Sequence, residues 1–70
     1  MDYIMYCYEV VHKGWYDKAL SRELYKTLEE CIKVIESKSD KPQRVEGRVS
    51  GVRYESDSYI YIIYEMNVKG

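Results

Sequence analysis

Hydrophobic and polar positions divide the chain into strand-like segments on either side of one helical segment. The helix is predicted at residues 28–38, where apolar residues recur every three or four positions along one face: Leu28, Cys31, Ile32 and Ile35. Thr27 is a suitable N-cap, and Glu30 follows it at the spacing of a capping box. The pattern therefore predicts a short amphipathic helix that starts after Thr27 and ends in the turn around Pro42.

Two long runs of β-branched and aromatic residues predict strands near the two ends of the chain. The first, residues 3–11, is apolar on both faces, which favours an interior position in a sheet, and Gly14 after it is free to adopt a positive φ. The last, residues 59–66, alternates between two apolar sets. One set is Ile60, Ile62, Tyr64 and Met66, and the other is Tyr59, Tyr61 and Ile63.

Residues 15–26 fit two structures. Ala19, Leu20 and Leu24 extend the helical stripe backwards, with Asp17 as a possible cap. The capping box instead starts the helix at Thr27, so that residues 15–25 become a second strand paired with the first. We favour the strand.

Shorter strand-like segments at 44–46 and 52–54 flank a turn or bulge at Ser50-Gly51. With 70 residues, the chain has room for one domain, spanning 1–70. The predicted fold is α+β: an antiparallel sheet of four to five strands with one short helix packed on one face, in a ββαββ-like order.

One short helix can cover only one face of such a sheet. We assign the covered face to the set that contains Ile60, Ile62 and Met66, which leaves Tyr59, Tyr61 and Ile63 on the open face. A contiguous aromatic patch is rarely idle, and tyrosine is enriched at interfaces. The open face would therefore contact another copy of the chain, a partner protein or a flat ligand. The alternative is that the nine tyrosines, with no Phe, are half-buried structural residues.

Length and cysteine content favour self-association over covalent or metal stabilisation. A chain this short buries only about 60% of its unfolded surface, so a monomer would be marginally stable. Cys7 and Cys31 lack the spacing of a redox or zinc motif, and His12 has no second histidine to complete a metal site. We expect two buried thiols, a homo-oligomer, and no metal or cofactor.

Charge and hydropathy favour a cytoplasmic protein. The net charge of −1 provides no bulk field for nucleic acid or a membrane surface. The N-terminus does not resemble a signal peptide, and the longest apolar run, 59–64, is too short to span a bilayer. No nucleophile motif surrounds His12, and residues 46–51 lack the lysine of a phosphate-binding loop, so we expect no enzymatic activity.

Three arginines form the candidate anion site: Arg44, Arg48 and Arg53. They are interleaved with Tyr54, and Trp15 and Tyr16 are candidate neighbours. Arginine binds phosphate and carboxylate bidentately, and aromatic rings stack on bases, which suits a small nucleotide-like ligand or an acidic partner. The alternative is that the arginines pair with glutamates across a hairpin. Those glutamates, Glu46 and Glu55, also interrupt any nucleic-acid-binding surface.

The segment 21–37, followed by Arg44-Val45 and Ser50-Gly51-Val52, resembles small orphan accessory proteins of bacteriophages and prophages of low-GC Gram-positive bacteria. In those proteins a hairpin precedes a short helix that opens with Thr-Leu-Glu-Glu, and a second hairpin follows. The resemblance spans about half the chain and carries over no functional residues. It implies a phage protein in the host cytoplasm, of a class that includes inhibitors of host defence enzymes and proteins that sequester nucleotide signals.

Together these features favour a non-enzymatic, self-associating, phage-type binding protein. It would inhibit a host defence protein or sequester a small nucleotide-like ligand, with Tyr59, Tyr61 and Ile63 as contact face and the three arginines as anionic anchors. The alternative is a nucleic-acid-binding accessory module.

Overall fold

The computed structural model describes residues 2–15, 18–21, 23–45 and 52–69. Within these residues the elements are, in chain order, β1 (Asp2–His12), β2 (Lys18–Leu20), α1 (Leu28–Glu36), β3 (Gln43–Val45), β4 (Arg53–Glu55) and β5 (Tyr59–Lys69). The strands form one antiparallel sheet in the order β2-β1-β5-β4-β3. The fold is α+β, with a five-stranded antiparallel sheet and a short helix packed against it, as the sequence predicts.

The two long strands are neighbours at the centre of the sheet. They pair along their whole length, from Asp2 opposite Lys69 to His12 opposite Tyr59. The flanking strands are much shorter, since β2 pairs only with residues 9–11 and β4 only with residues 60–62. The predicted interior position of the first strand is therefore confirmed for residues 9–11 of β1, which lie between β2 and β5.

Beyond the flanking strands, β1 and β5 continue as a two-stranded extension that we call the terminal ribbon, formed by residues 2–5 and 64–69. Within the described residues, no strand pairs with the outer edge of either segment. Alternate residues of an antiparallel strand turn their backbone N–H and C=O groups outwards, so both ribbon edges carry unpaired groups. An isolated two-stranded ribbon is at best marginally stable in water.

The segment 15–26 contains a strand, but a short one. Ser21 interrupts the ladder, because its N–H donates to the Tyr8 carbonyl at 2.7 Å while its hydroxyl accepts from the Tyr8 N–H at 3.1 Å. The chain returns to β1 only at Tyr25, which exchanges two backbone hydrogen bonds with Tyr6. The strand interpretation is therefore correct for β2 and wrong for Trp15, Ser21, Glu23 and Leu24, while residues 16, 17 and 22 lie outside the described residues.

The helix α1 starts where the sequence predicts. The Thr27 hydroxyl accepts from the Glu30 N–H at 3.2 Å, and the Glu30 carboxylate accepts from the Lys26 N–H, one residue before the N-cap position of an ordinary capping box. The helix ends at Glu36, two residues earlier than predicted. At nine residues it is too short to cross a bilayer, and no helix among the described residues is long and apolar enough to do so.

Helix α1 covers the face of the sheet opposite to the one we assigned from the sequence. The side chains in the core are Tyr8, Cys31, Ile35, Tyr54, Tyr61 and Ile63. The prediction that the helix covers Ile60, Ile62 and Met66 was wrong because it did not take the strand register into account. In the sheet, Ile62 lies opposite Glu9 and Arg53, and Ile60 lies opposite Glu55. A helix on that face would have to bury three charged side chains, which is costly without full pairing.

Candidate functional site

The predicted contact residues of β5 lie on the helix-covered face, so the expectation of an open tyrosine face was wrong for them. Tyr61 is 4% exposed and Ile63 is 8% exposed, and both belong to the core. Tyr59 lies at the margin of the same face, where its ring is partly open to solvent. The sequence left open whether the tyrosines form a contact surface or serve the structure of the domain. Tyr61 serves the structure, because it is part of the core.

Tyr61 is accommodated in the core because its hydroxyl reaches a partner at the core's edge. It donates to the Asp40 carboxylate, with oxygen–oxygen distances of 3.0 and 3.2 Å. Burial raises the pKa of Tyr61 well above its ordinary value, and the hydrogen bond to Asp40 raises it further. Burial opposes ionisation of Asp40, but hydrogen bonds from Ser56 and Tyr61 outweigh it and hold the pKa of Asp40 below its usual range. The pair is thus a phenol bound to a carboxylate.

Both cysteines are buried, as predicted, and both are free thiols. Burial raises the pKa of Cys31 to about 11, and burial also raises the pKa of Cys7. A thiol reacts as the thiolate, so neither is an activated nucleophile at neutral pH.

The predicted arginine cluster is divided between the faces of the sheet. Arg53 lies on the face away from α1, where its guanidinium is 3.5 Å from the Glu55 carboxylate. Lys13 approaches the same carboxylate at 3.8 Å. The sequence raised the alternative that the arginines pair with glutamates across a hairpin. Arg53 does pair with a glutamate, but Glu55 lies two residues away on the same strand and not across a hairpin. Arg48 lies outside the described residues, as do Glu46, Tyr16 and the turn predicted at Ser50-Gly51.

Arg44 lies on the α1 side of the sheet, directly opposite Tyr54 on the neighbouring strand. The two residues line a polar cleft of about 500 Å³ together with Glu36 and Lys41. Tyr54 is itself buried: burial raises its pKa, Glu36 raises it further, and Arg44 lowers it. The predicted neighbours Arg44 and Tyr54 do meet, but an acidic residue shares their cleft.

The face of the sheet away from α1, which we call the uncovered face, carries a continuous apolar surface along the two central strands. Its apolar members are Tyr3, Met5, Cys7 and Val11 of β1 and Ile60, Ile62, Tyr64, Met66 and Val68 of β5, of which Cys7 and Val11 are buried beneath their neighbours. Near the terminal ribbon the large side chains are half exposed: Tyr3 by 50%, Tyr64 by 41% and Met66 by 43%. Leu20 of β2 adds a further exposed side chain on this face.

Side-chain contacts hold the uncovered face in a defined shape. The Cys7 thiol lies 3.4 Å from the Met66 sulfur, and the Tyr64 hydroxyl donates to the Glu9 carboxylate at 3.4 Å. The half-exposed side chains are thus held in place by neighbours on the adjacent strand. A preformed apolar surface loses less conformational entropy when a partner covers it.

A second candidate site, which we call the hairpin pocket, lies at the end of the β1–β2 hairpin. It has a volume of about 250 Å³ and is lined by Val10, His12, Trp15, Lys18, Ala19 and Tyr59. The structure therefore brings together Trp15 and Tyr59, which the sequence singled out separately. His12 and Lys18 complete the pocket and were not predicted, because only strand pairing places them there: His12 lies opposite Tyr59 on β5, and Lys18 lies opposite Val11 on β1.

Comparison with families of known proteins, with curated proteins and with solved structures finds no match to this chain. Function is therefore inferred from the geometry of the described residues.

Proposed function

We propose that the chain is a non-enzymatic binding protein that self-associates through its uncovered face. The observation that carries this proposal is the continuous apolar surface of β1 and β5, which α1 leaves open and whose large side chains are half exposed at the terminal ribbon. Monomeric proteins rarely expose contiguous apolar patches of this kind. A second copy that covers the patch would also stabilise the terminal ribbon.

A standard dimer interface would take only a small part of the surface of this chain. Each central strand has eleven residues and is about 36 Å long at about 3.3 Å per residue. A standard interface takes about 800 Å² from each partner, which is about one seventh of the 5616 Å² accessible on this chain. Two such faces packed on one another at their ribbon ends would form a two-layer contact with an apolar centre, and Glu9, Arg53 and Glu55 would lie outside that centre.

Two copies could associate through the uncovered face or by pairing their outermost strands into one larger sheet. The strand lengths favour the uncovered face. The outermost strands, β2 and β3, have only three residues each, so pairing with another copy at their edges would add few hydrogen bonds. A face-to-face contact instead uses the same surface on both copies, as an isologous dimer requires.

Charges at one end of the uncovered face fit the polar rim of such an interface. Glu9 lies on the face itself, opposite Ile62 and Leu20, and the ion pairs of Glu55 with Arg53 and Lys13 lie at the end distant from the terminal ribbon. Interfaces commonly have this arrangement of an apolar centre and a polar, solvent-accessible rim. The interface would therefore be centred on Tyr64 and Met66.

We further propose a cellular role for the dimer. The resemblance of segment 21–37 to phage accessory proteins supports a dimer that acts in the host cytoplasm by blocking a host defence protein. Association through the uncovered face would leave α1 and its surroundings on both outer surfaces, available to that target.

Amide hydrogen exchange at two protein concentrations tests the proposal. We expect the amides of residues 2–5 and 64–69 to exchange more slowly at high concentration, because a second copy suppresses opening of the terminal ribbon. The amides of α1 serve as the internal control and should not change. If the ribbon exchanges at the same rate at both concentrations, the self-association proposal is wrong.

A further inference from the structure

The hairpin pocket contains three aromatic rings that leave one ring face open. The His12 ring meets Tyr59 edge-on, with centroids 5.0 Å apart and planes at 87°, and lies 6.4 Å from the Trp15 ring at 42°. Trp15 is 76% exposed, although tryptophan is on average among the most buried residues. An open indole beside a tyrosine and an imidazole is suited to stacking on a planar ligand.

Two of the described residues that line the pocket, His12 and Lys18, can donate hydrogen bonds to a ligand. The Nδ1 atom of His12 accepts a hydrogen bond from the Gly14 N–H at 3.1 Å, so the neutral imidazole carries its proton on Nε2. Lys18 adds an ammonium group. None of the six described lining residues is acidic, in contrast to the cleft that holds Arg44 beside Glu36. The pocket therefore favours a ligand with acceptors or negative charge.

Gly14 keeps the His12 ring in this position. Its φ does not lie in the left-handed region, contrary to the expectation from the sequence. A Cβ atom at this position would instead lie 3.2 Å from Cε1 of His12, closer than ordinary contacts. A side chain at position 14 would therefore push the imidazole out of this position by a few tenths of an ångström.

We propose that the hairpin pocket binds a planar aromatic anion of the mononucleotide class. The base stacks on Trp15 beside Tyr59, the Nε2–H of His12 donates to an acceptor on the ligand, and Lys18 binds the phosphate. The volume of about 250 Å³ lies just below the range of about 300–1,000 Å³ for ligand pockets, which limits the ligand to one base. The donors distinguish this ligand from an apolar side chain of a partner protein, which would leave them unpaired.

This site does not depend on the proposed self-association. Val10, Ala19 and Tyr59 lie on the α1 side of the sheet, whereas Lys18, opposite Val11 on the outermost strand, lies at the edge of the uncovered face. The proposed interface is centred on Tyr64 and Met66, at the other end of β5, so a dimer can form without covering Trp15 or Tyr59. The chain could therefore prove to be a monomer and still bind a ligand in the hairpin pocket, or form a dimer and bind none.

Trp15 is the only tryptophan of the chain, so its fluorescence reports directly on the pocket. The monophosphates of adenosine, guanosine, cytidine and uridine are titrated separately into the full chain, followed by the matching nucleosides and inorganic phosphate. We expect saturable quenching by at least one monophosphate, weaker binding of its nucleoside, and no competition from phosphate at equal concentration. Quenching that does not saturate for any monophosphate overturns the proposal, as does full competition by phosphate, which would indicate a simple anion site.

Lys18→Gln tests the charge, and Lys33→Gln on the exposed side of α1 is the matched control. Lys18→Gln should weaken monophosphate binding about tenfold and leave nucleoside binding unchanged, whereas Lys33→Gln should change neither. Gly14→Ala should weaken binding of both ligands, because it displaces His12 without touching Trp15 or Lys18. Equal effects of the two lysine substitutions, or unchanged binding in Gly14→Ala, would contradict the proposed contacts.

Discussion

Replacing Ile35 with alanine should leave a large fraction of the protein unfolded at room temperature. Ile35 is fully buried at the centre of the contact between α1 and the sheet. Truncating such a side chain to alanine costs about 2–5 kcal/mol through lost burial and the cavity left behind. A core of this size rarely supplies more than about 3–5 kcal/mol, so the loss is comparable to the whole stability of the fold.

Circular dichroism during urea denaturation measures this effect. Ile35→Val is the matched conservative change and should cost only about 0.5–1.5 kcal/mol. Lys33→Ala, two positions away on the exposed side of α1, should change stability by about 0.5 kcal/mol or less. If Ile35→Ala unfolds at the same urea concentration as the unmodified chain, α1 does not cover the face described above.

Replacing Met66 with glutamate should abolish self-association without unfolding the monomer. Met66 is 43% exposed on the uncovered face, so the free chain can hydrate the new carboxylate. In the dimer each copy would bury an unpaired charge, which costs several kcal/mol per ion. Since each 1.4 kcal/mol is a factor of ten in affinity, dimer affinity should fall more than about hundredfold.

Asn67→Glu is the matched control, because it adds the same charge to the next residue of the same strand. Asn67 is exposed and lies on the opposite face of the terminal ribbon, directly opposite Ile4. Sedimentation equilibrium should show near-normal dimer affinity for Asn67→Glu and monomer for Met66→Glu, with unchanged circular dichroism in both. Equal loss of affinity in the two variants would show that the contact is not made by the uncovered face.

The local structure could be predicted from the sequence because its determinants are close together in the chain. Thr27 and Glu30 mark the start of α1, and alternation along residues 59–66 identifies a strand. The same alternation defines two faces of β5 but not which one the helix covers. That choice depends on Glu9 and Arg53 lying beside Ile62, which requires the register of three strands.

The candidate sites depend on register in the same way. Trp15 and Tyr59 were both predicted as candidate binding residues, but 44 positions separate them in the chain. They meet because His12, at the end of β1, pairs with Tyr59 at the start of β5. The sequence around His12 contains no motif that points to a site, so its place in the wall of the pocket follows only from that pairing.

The mass of the unmodified chain in solution, measured by light scattering over a range of concentrations, tests the central claim most directly. The uncovered face predicts a mass that rises with concentration towards twice the 8.4 kDa of the monomer. A mass of 8.4 kDa at every concentration would contradict self-association through this face.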